Sequence, residues 1–255
     1  MYPAERRQKI LEWIHQDSRV SVAELAEHFG VSRSSIRRDL NHLSRAGLLK
    51  RTYGGAVQMD AENDERPFSV REVSHREEKT RIGRFAASLL RPGETVFVDG
   101  GTTTECMLPF LPDHMRLTIV TYGLNIAARL AGRESLTVIV IGGTLHHRSL
   151  TISGVLAMES FHSYRMHFDR AFLACSGVSA EGGVTNASFE EIPMKRKAIE
   201  SAREVILLAD SSKVGVVAAG LIAPITKIDR IITDRAAPEA EVGALRRLGV
   251  EVNLA

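Results

Sequence analysis

Apolar residues recur at helical spacing in residues 5–16, where Ile10, Leu11 and Ile14, with Trp13 beside them, predict one amphipathic helix. A second, short helix follows. Val22, Leu25, Ala26 and Phe29 supply its buried face, Ser21 with Glu24 three residues on forms a capping box, and Gly30 stops it. Beyond the Gly30-Val31 corner, Ser32 can cap a third helix whose Ile36, Leu40 and Leu43 point inward at spacings of four and three. Two helices joined by a short glycine-containing turn make a helix-turn-helix. After Gly47, residues 48–57 hold two short extended runs joined or ended by Gly54-Gly55, which predicts a wing.

The pattern then changes. Residues 58–73 are polar and acidic, with Asp60, Glu62, Asp64 and Glu65 and no period of helix or strand, and read as a connector. Residues 74–90 place Ile82, Phe85, Ala86, Leu89 and Leu90 on one helix face, ended by Pro92-Gly93. Beyond them, β-rich runs at 95–98, 117–120, 136–141, 171–175, 205–209, 230–233 and 250–253 alternate with helical or loop segments. That alternation predicts an α/β unit with a mostly parallel sheet covered by helices on both faces. The predicted organisation is a winged helix-turn-helix domain at 1–57, a connector at 58–73 and a larger unit at 74–255.

Composition narrows the class. At 255 residues, with 44% apolar and 25% charged positions, the chain is neither disordered nor collagen-like, and Cys106 and Cys175 are too few for a disulfide framework. No apolar run approaches the roughly 18 residues of a membrane span, and Glu5, Arg6, Arg7 and Lys9 stand where a signal core would be, so the expectation is a cytoplasmic chain with no membrane partner. The net charge of +2 is unevenly spread: residues 1–57 carry ten lysines and arginines against six acids, net +4, which leaves −2 for the remainder. A small basic unit joined to a slightly acidic one points to nucleic acid as the partner of the former.

On helix-turn-helix geometry, Ser32, Arg33, Ser34, Ser35, Arg37 and Arg38 lie on or beside the first exposed turns of the third helix, the part that enters a major groove. Arginine can bond bidentately to guanine, while serine hydroxyls and helix-start N–H groups suit phosphate oxygens. Lys50 and Arg51 of the wing are expected along the DNA backbone or minor groove, giving salt-dependent affinity. Asp39 is expected on the surface, held by a neighbour such as His42. A solvated helix face is the plainer alternative. The capping box, glycine corner and arginine-rich helix start, coinciding within twenty residues, favour the DNA reading.

Ligands of parallel sheets sit beyond the carboxyl ends of strands. Asp99-Gly100-Gly101-Thr102-Thr103-Thr104 follows the run at 95–98, and its glycines, hydroxyls and helix start suit a phosphate; a threonine-capped strand-to-helix turn is the alternative. Asp210-Ser211-Ser212-Lys213 follows another run, and Lys213 could neutralise a phosphate or pair with Asp210. Glycine turns at Gly142-Gly143, Ser153-Gly154 and Gly182-Gly183 are weaker signals. His146, His147, His162 and His167 share no ligand-like spacing with a cysteine or carboxylate, so no metal site is assigned, and Cys175 has no base nearby in sequence to make it a nucleophile.

Val22-Ala23-Glu24-Leu25-Ala26, Val31-Ser32, Ile36-Arg37-Arg38-Asp39-Leu40, Leu43, Gly47 and the wing Tyr53-Gly54-Gly55-Ala56 resemble the DeoR family of bacterial transcription regulators. Ser35 stands where that family usually has threonine. The resemblance extends through an Asp-x-Gly-Thr-Thr loop, matched by Asp99, Gly101, Thr102 and Thr103, and an Asp-x-Ser-Lys motif, matched by Asp210, Ser212 and Lys213. It implies an effector domain similar in fold to ribose-5-phosphate isomerase that senses a phosphorylated sugar or related metabolite. On that resemblance the threonine loop, Thr104 included, holds the phosphate, and Thr121 and Lys213 line the same pocket. Tyr122, where the family usually has asparagine, is expected to reshape its sugar end.

The implied function is ligand-controlled binding of double-stranded operator DNA, repression of a carbohydrate-utilisation operon being relieved by the effector. One winged unit reads too few base pairs for operator affinity, so self-association as dimer or tetramer is expected. The rival is sugar-phosphate isomerisation, which needs a carboxylate positioned to move a proton. Isomerases of similar fold carry Asp-Gly-Ala-Asp-Glu where this chain reads Phe172-Leu173-Ala174-Cys175-Ser176-Gly177, and those acids are missing. Asp99, Glu181, Glu190 and Glu191 read instead as caps or solvated groups, so neither catalytic residue nor cofactor is assigned.

Overall fold

Apolar stripes on three helices and a short sheet close around one small core at the N-terminal end. The computed structural model describes residues 2–17, 19–45, 48–57 and 66–255, and the chain divides into two units, Met1–Val70 and Arg71–Ala255. The first contains α1 (Pro3–Asp17), β1 (Arg19–Ser21), α2 (Val22–Phe29), α3 (Arg33–Arg45), β2 (Lys50–Thr52) and β3 (Gly55–Val57). Ile10, Ile14, Leu25, Ile36, Leu40, Leu43, Leu49 and Ala56 fill its core. The capping box forms as expected: the Glu24 amide donates to Ser21 Oγ at 3.1 Å, and the Ser21 amide to Glu24 Oε2 at 3.0 Å. These bonds hold the Glu24 carboxyl below its usual range. Gly30 takes the left-handed φ of 62° that ends α2, and Ser32 Oγ accepts from the Ser35 amide at 3.2 Å.

The wing has three strands, in the antiparallel order β1-β3-β2. The third, β1, is only three residues long between helices and shows no alternation. Gly55 is required by close approach, since a Cβ there would lie 2.1 Å from the Val20 carbonyl oxygen. Asp39, expected on the surface, is buried and accepts from Arg6 Nε at 2.6 Å. It lies three residues from Ile36 and therefore on the inward face of α3. Arg6, one turn before Ile10, is on the inward face of α1.

Residues 58–65 of the expected connector lie outside the described residues. Residues 68–73 depart from it by forming α4 (Phe68–Val73), with Phe68 and Val70 buried. Six residues are too few to display a 3.6 period, so the sequence carried no helical signal there.

In the second unit α5 (Arg76–Ser88) leads into β4 (Thr95–Val98), α6 (Thr102–Glu105), β5 (Leu117–Thr121), α7 (Leu124–Leu130) and β6 (Leu136–Val140). A hairpin of β7 (Thr144–His146) and β8 (Thr151–Ser153) and the helix α8 (Val155–Tyr164) come next. Then follow β9 (Phe168–Leu173), β10 (Gly177–Ser179), β11 (Gly183–Asn186), α9 (Ile192–Ser201), β12 (Ala202–Leu208), β13 (Gly220–Ala223), β14 (Arg230–Thr233), α10 (Glu239–Arg247) and β15 (Glu251–Leu254). Seven strands in the order β15-β14-β12-β9-β4-β5-β6 make one sheet, parallel at every pairing. All seven overlap the predicted runs, although β9 and β12 each begin three residues before theirs. The central strands are apolar on both faces because both are covered, whereas the edge strand β6 leaves Ile139 and Val140 exposed. Val96, Val98, Phe172, Ile206 and Leu208 pack with Ile82 of α5 and Ile126 of α7. Phe97, Ala171, Leu173 and Leu207 pack on the other face with Phe161 of α8, Ala198 of α9 and Leu245 of α10.

The antiparallel trio β10-β11-β13 was not anticipated. Its strands are three or four residues long, each begins at a glycine, and Gly183 was expected in a turn. No helix among the described residues is long and apolar enough to cross a membrane.

Strand order positions the site. From β4 the chain moves through β5 to β6 on one side, and from β9 through β12 to β14 and β15 on the other. The order reverses between β4 and β9, and at such a switch point the loops leaving two neighbouring strands part and open a crevice at their carboxyl ends.

Removing one partner of the Arg6–Asp39 pair leaves a buried charge uncompensated. Asp39→Ala is expected to destabilise the N-terminal unit by roughly 3 kcal/mol. Urea unfolding followed by the fluorescence of Trp13, the single tryptophan of the chain, checks this; an unchanged midpoint would show that the pair carries no such weight.

Candidate functional site: a recognition helix and a threonine loop

The first surface is the outer face of α3. Ser32, Arg33, Ser34, Arg37 and Arg38 are exposed, and Ser35 is half-buried. Ser32 Oγ lies 2.8 Å from Ser34 Oγ and 3.0 Å from Ser35 Oγ, so the three hydroxyls form one cluster at the helix start. Among the described residues, no side-chain partner engages Arg33, Arg37 or Arg38. Asn41 and His42, one turn on from Arg37 and Arg38, share their exposed face. Sequence reading passed over Asn41 and placed His42 beside Asp39 instead, although the i+4 spacing was available. On the wing Lys50 is exposed and Tyr53 stands fully out at the tip. Arg51 differs from expectation: half-buried, it donates from Nη1 to the Gly55 carbonyl at 2.6 Å and braces the wing from within. Arg51 pairs with Ala56 across the tight turn and Thr52 with Gly55, so the guanidinium folds back onto its own strand pair.

The second place is the crevice between β4 and β9. Asp99, directly after β4, is fully buried. Its Oδ1 accepts from Tyr122 Oη at 2.6 Å. Its Oδ2 accepts from the Ala174 amide at 2.7 Å and from Lys195 Nζ at 2.5 Å. One carboxylate thus ties the ends of β4, β5 and β9 to α9. Burial alone would lower the Lys195 ammonium, but Asp99 and Glu191 outweigh it and hold it above its usual value.

Tyr122 does not reshape the mouth of a pocket. It shares the Phe97 face of the sheet, is fully buried, and stacks on that ring at 5.8 Å between centroids. Thr104 and Thr121 are also fully buried and inward-bonded. Thr104 Oγ1 donates to the Asp99 and Gly101 carbonyls at 2.7 and 2.8 Å, and Thr121 Oγ1 accepts from the Gly123 amide at 3.0 Å.

The rest of the loop is left open to an anion. Gly101 packs so closely on β9 that a Cβ would lie 2.4 Å from that of Ala174. Among the described residues, the N–H groups of Gly100, Gly101, Thr102 and Thr103 have no acceptor, and the Thr103 hydroxyl has no partner. Thr102 Oγ1 accepts from Lys79 Nζ at 3.1 Å, which leaves the Thr102 proton free to donate. Lys79, on α5, escaped the sequence reading because its spacing is that of any solvated helix lysine. It is 4% exposed, and burial lowers its ammonium to about 8. Lys213 is half-buried and makes no ion pair with Asp210, whose Oδ1 instead accepts from the Ser212 amide at 3.1 Å and the Ser212 hydroxyl at 2.5 Å. Its charge nevertheless reaches Lys79 and lowers that group further. Asn125 adds a buried acceptor, Oδ1, without a hydrogen-bond partner.

At the strand end where isomerases keep their acids, desolvation pushes the Cys175 thiol up to about 12. His146 Nε2 lies 2.7 Å from Ser153 Oγ, and His162 Nδ1 is 3.0 Å from the Met158 carbonyl.

Comparison with known proteins matches residues 6–62 to the DeoR-like helix-turn-helix domain and residues 74–235 to the DeoR C terminal sensor domain. The glycerol-3-phosphate regulon repressor of Escherichia coli (strain K12) is 34% identical over 254 residues, covering 100% of both chains. The HTH-type transcriptional repressor GlcR of Bacillus subtilis (strain 168) is 35% identical, covering 99% of this chain and 96% of that one. Among solved structures, ribose 5-phosphate isomerase A from Methanocaldococcus jannaschii matches 55% of each chain with a TM-score of 0.41 and 14% identity.

Lys195→Met would strand the Asp99 carboxylate in the core and is expected to cost roughly 3 kcal/mol. Tyr122→Phe removes one hydrogen bond to a charged group, for about 1.5–3 kcal/mol. Chemical denaturation followed by far-UV circular dichroism separates the two, and a Tyr122→Phe variant as destabilised as Lys195→Met would contradict the assignment of the lysine as the main counter-charge.

Proposed function

The chain belongs to the DeoR family of helix-turn-helix transcriptional regulators with a C-terminal sensor domain, and on that footing we propose that it represses a carbohydrate-utilisation operon and is released by a phosphorylated sugar or related metabolite. The observation that carries the effector class is the threonine loop, where unpaired backbone N–H groups and the Thr103 hydroxyl stand beside Lys79 and Lys213. Asp210 acts on Lys79 through space and offsets part of the cost of its burial, and open donors beside two cations that make no ion pair among the described residues suit a phosphate dianion. In this reading Gly101, Thr102, Thr103, Lys79 and Lys213 contact the phosphate. Asp99, Thr104 and Thr121 position the loop, and Asn125 accepts from a ligand hydroxyl. A relative named for glycerol-3-phosphate, matched over its full length, supports a small phosphorylated metabolite.

Ser32, Arg33, Ser34, Arg37 and Arg38 face the operator, with Lys50 and the remaining donors of Arg51 on its backbone. The working organisation is a reader at 1–57, a connecting segment at 58–73 and a sensor at 74–255. A second copy of the chain supplies the second reader. Exposed Ile139, Val140 and Tyr164 border a groove of about 490 Å³ on the sensor and supply apolar surface for such pairing. The full-length relatives are transcriptional repressors, which favours this reading over isomerisation.

Duplexes selected from a randomised pool provide the DNA test. Arg37→Ala and Arg38→Ala are each expected to weaken binding by about 1–3 kcal/mol while the sensor stays folded; retention equal to wild type would remove α3 from the interface. For the sensor, a panel of sugar phosphates should raise the melting temperature, an effect lost in Thr102→Ala and Lys213→Ala. Affinity for the phosphorylated compound should fall as pH rises through about 8, where free Lys79 loses its proton. An affinity flat across that range would take Lys79 out of the site.

A further inference from the structure

Two lysines of the sensor are almost fully buried, and they are treated oppositely. Lys195 sits against Asp99 at 2.5 Å and Glu191 at 3.6 Å. Lys79 has no carboxylate within ion-pair distance among the described residues; its ammonium donates to two neutral oxygens, Thr102 Oγ1 and the Arg71 carbonyl. A buried cation held only by neutral acceptors stays costly until an anion reaches it.

The Arg71 carbonyl belongs to α4, a helix of six residues. So short a helix has little stability of its own, and the carbonyls of its last turn lack intrahelical donors. Lys79 satisfies one of them from inside the unit. Other ties of that end include Glu72 with Arg129 at 3.3 Å and with Arg76 at 3.4 Å, both arginines more than half exposed and these pairs therefore weak. Through α4 the chain runs from the described residues of the connector into the sensor.

Building on the reading of the threonine loop as a phosphate site, we propose that Lys79 is the residue that converts occupancy into motion: a phosphate in the loop draws its ammonium off the Arg71 carbonyl and uncaps the last turn of α4. The differential interaction a ligand needs in order to shift an equilibrium is here the exchange of a neutral carbonyl for a dianion as partner of one buried ammonium. Thr102 serves both states, since its hydroxyl accepts from Lys79 and keeps its own proton for the phosphate. The released segment leads toward the DNA-reading unit, so slack in it lowers the population in which paired readers hold their half-sites.

Hydrogen–deuterium exchange on the full-length protein, with and without inorganic phosphate, tests this. Phosphate is expected to slow exchange at residues 99–104 and to speed it about five-fold or more at 68–75. Lys79→Met should exchange rapidly at 68–75 under both conditions, and Thr102→Val should keep 68–75 slow and insensitive to phosphate. Protection at 99–104 with no change at 68–75 would overturn the relay while leaving the phosphate site in place. No protection at 99–104 would overturn both. A Lys79→Met variant as slow as wild type at 68–75 would show that the lysine does not hold α4, and Thr102→Val supplies an independent readout should the methionine variant fold poorly.

Discussion

The sensing unit is organised by how the buried Asp99 carboxylate is neutralised. Both of its oxygens are taken, by a phenol from the end of β5, a backbone amide after β9 and an ammonium from α9. Three strand ends and a helix are thereby fixed on one group at the point where the strand order reverses. The glycines and threonines that follow Asp99 inherit a rigid base; Thr104 is bonded inward and Thr102 to Lys79, and among the described residues the amides of Gly100, Gly101, Thr102 and Thr103 and the Thr103 hydroxyl are left without partners. A loop resting on solvated side chains would rearrange to satisfy itself, whereas this one is held in place by the groups packed on Asp99.

Pairing inside and absence of pairing outside recur as a theme. In the reader, Arg6 and Asp39 neutralise each other within the core, while Arg33, Arg37 and Arg38 on the outer face of α3 meet no side-chain partner among the described residues. The lysines of the sensor repeat the division, Lys195 being bound to carboxylates and Lys79 to neutral oxygens. Residue type does not distinguish the structural member of each set from the functional one. What distinguishes them is whether a counter-charge is folded against them, because an unpaired buried or projecting cation is what attracts a phosphate.

Much of this was legible in the chain. The capping box at Ser21 and Glu24, the left-handed Gly30 and the seven strands of the large sheet are local signals: a side-chain bond three residues long, a glycine where φ is positive, and apolar runs bounded by turns. The Asp99 to Thr104 loop drew notice because glycines and hydroxyls directly after a strand suit an anion, a threonine-capped turn being the alternative. Local patterns failed where elements were too short or where the partner lay far away. β1, α4 and the β10-β11-β13 trio fall below the length at which a period shows. Asp39 with Arg6 are 33 positions apart, Tyr122 with Asp99 are 23, and Lys195 with Asp99 are 96.

The order of residues alone determined the longer helices and the seven strands of the large sheet, where the reader's arginines stand along α3, and that glycines and hydroxyls follow a strand end, since each depends on neighbours within a few positions. Tertiary structure alone decided which charges are spent internally: that Arg51 braces its own wing, that Tyr122 belongs to the core, and that Lys79 stands beside Thr102 without a carboxylate. Burial and counter-charge are properties of the space around a side chain, and that space is created by packing between elements whose separation in the chain no local pattern encodes.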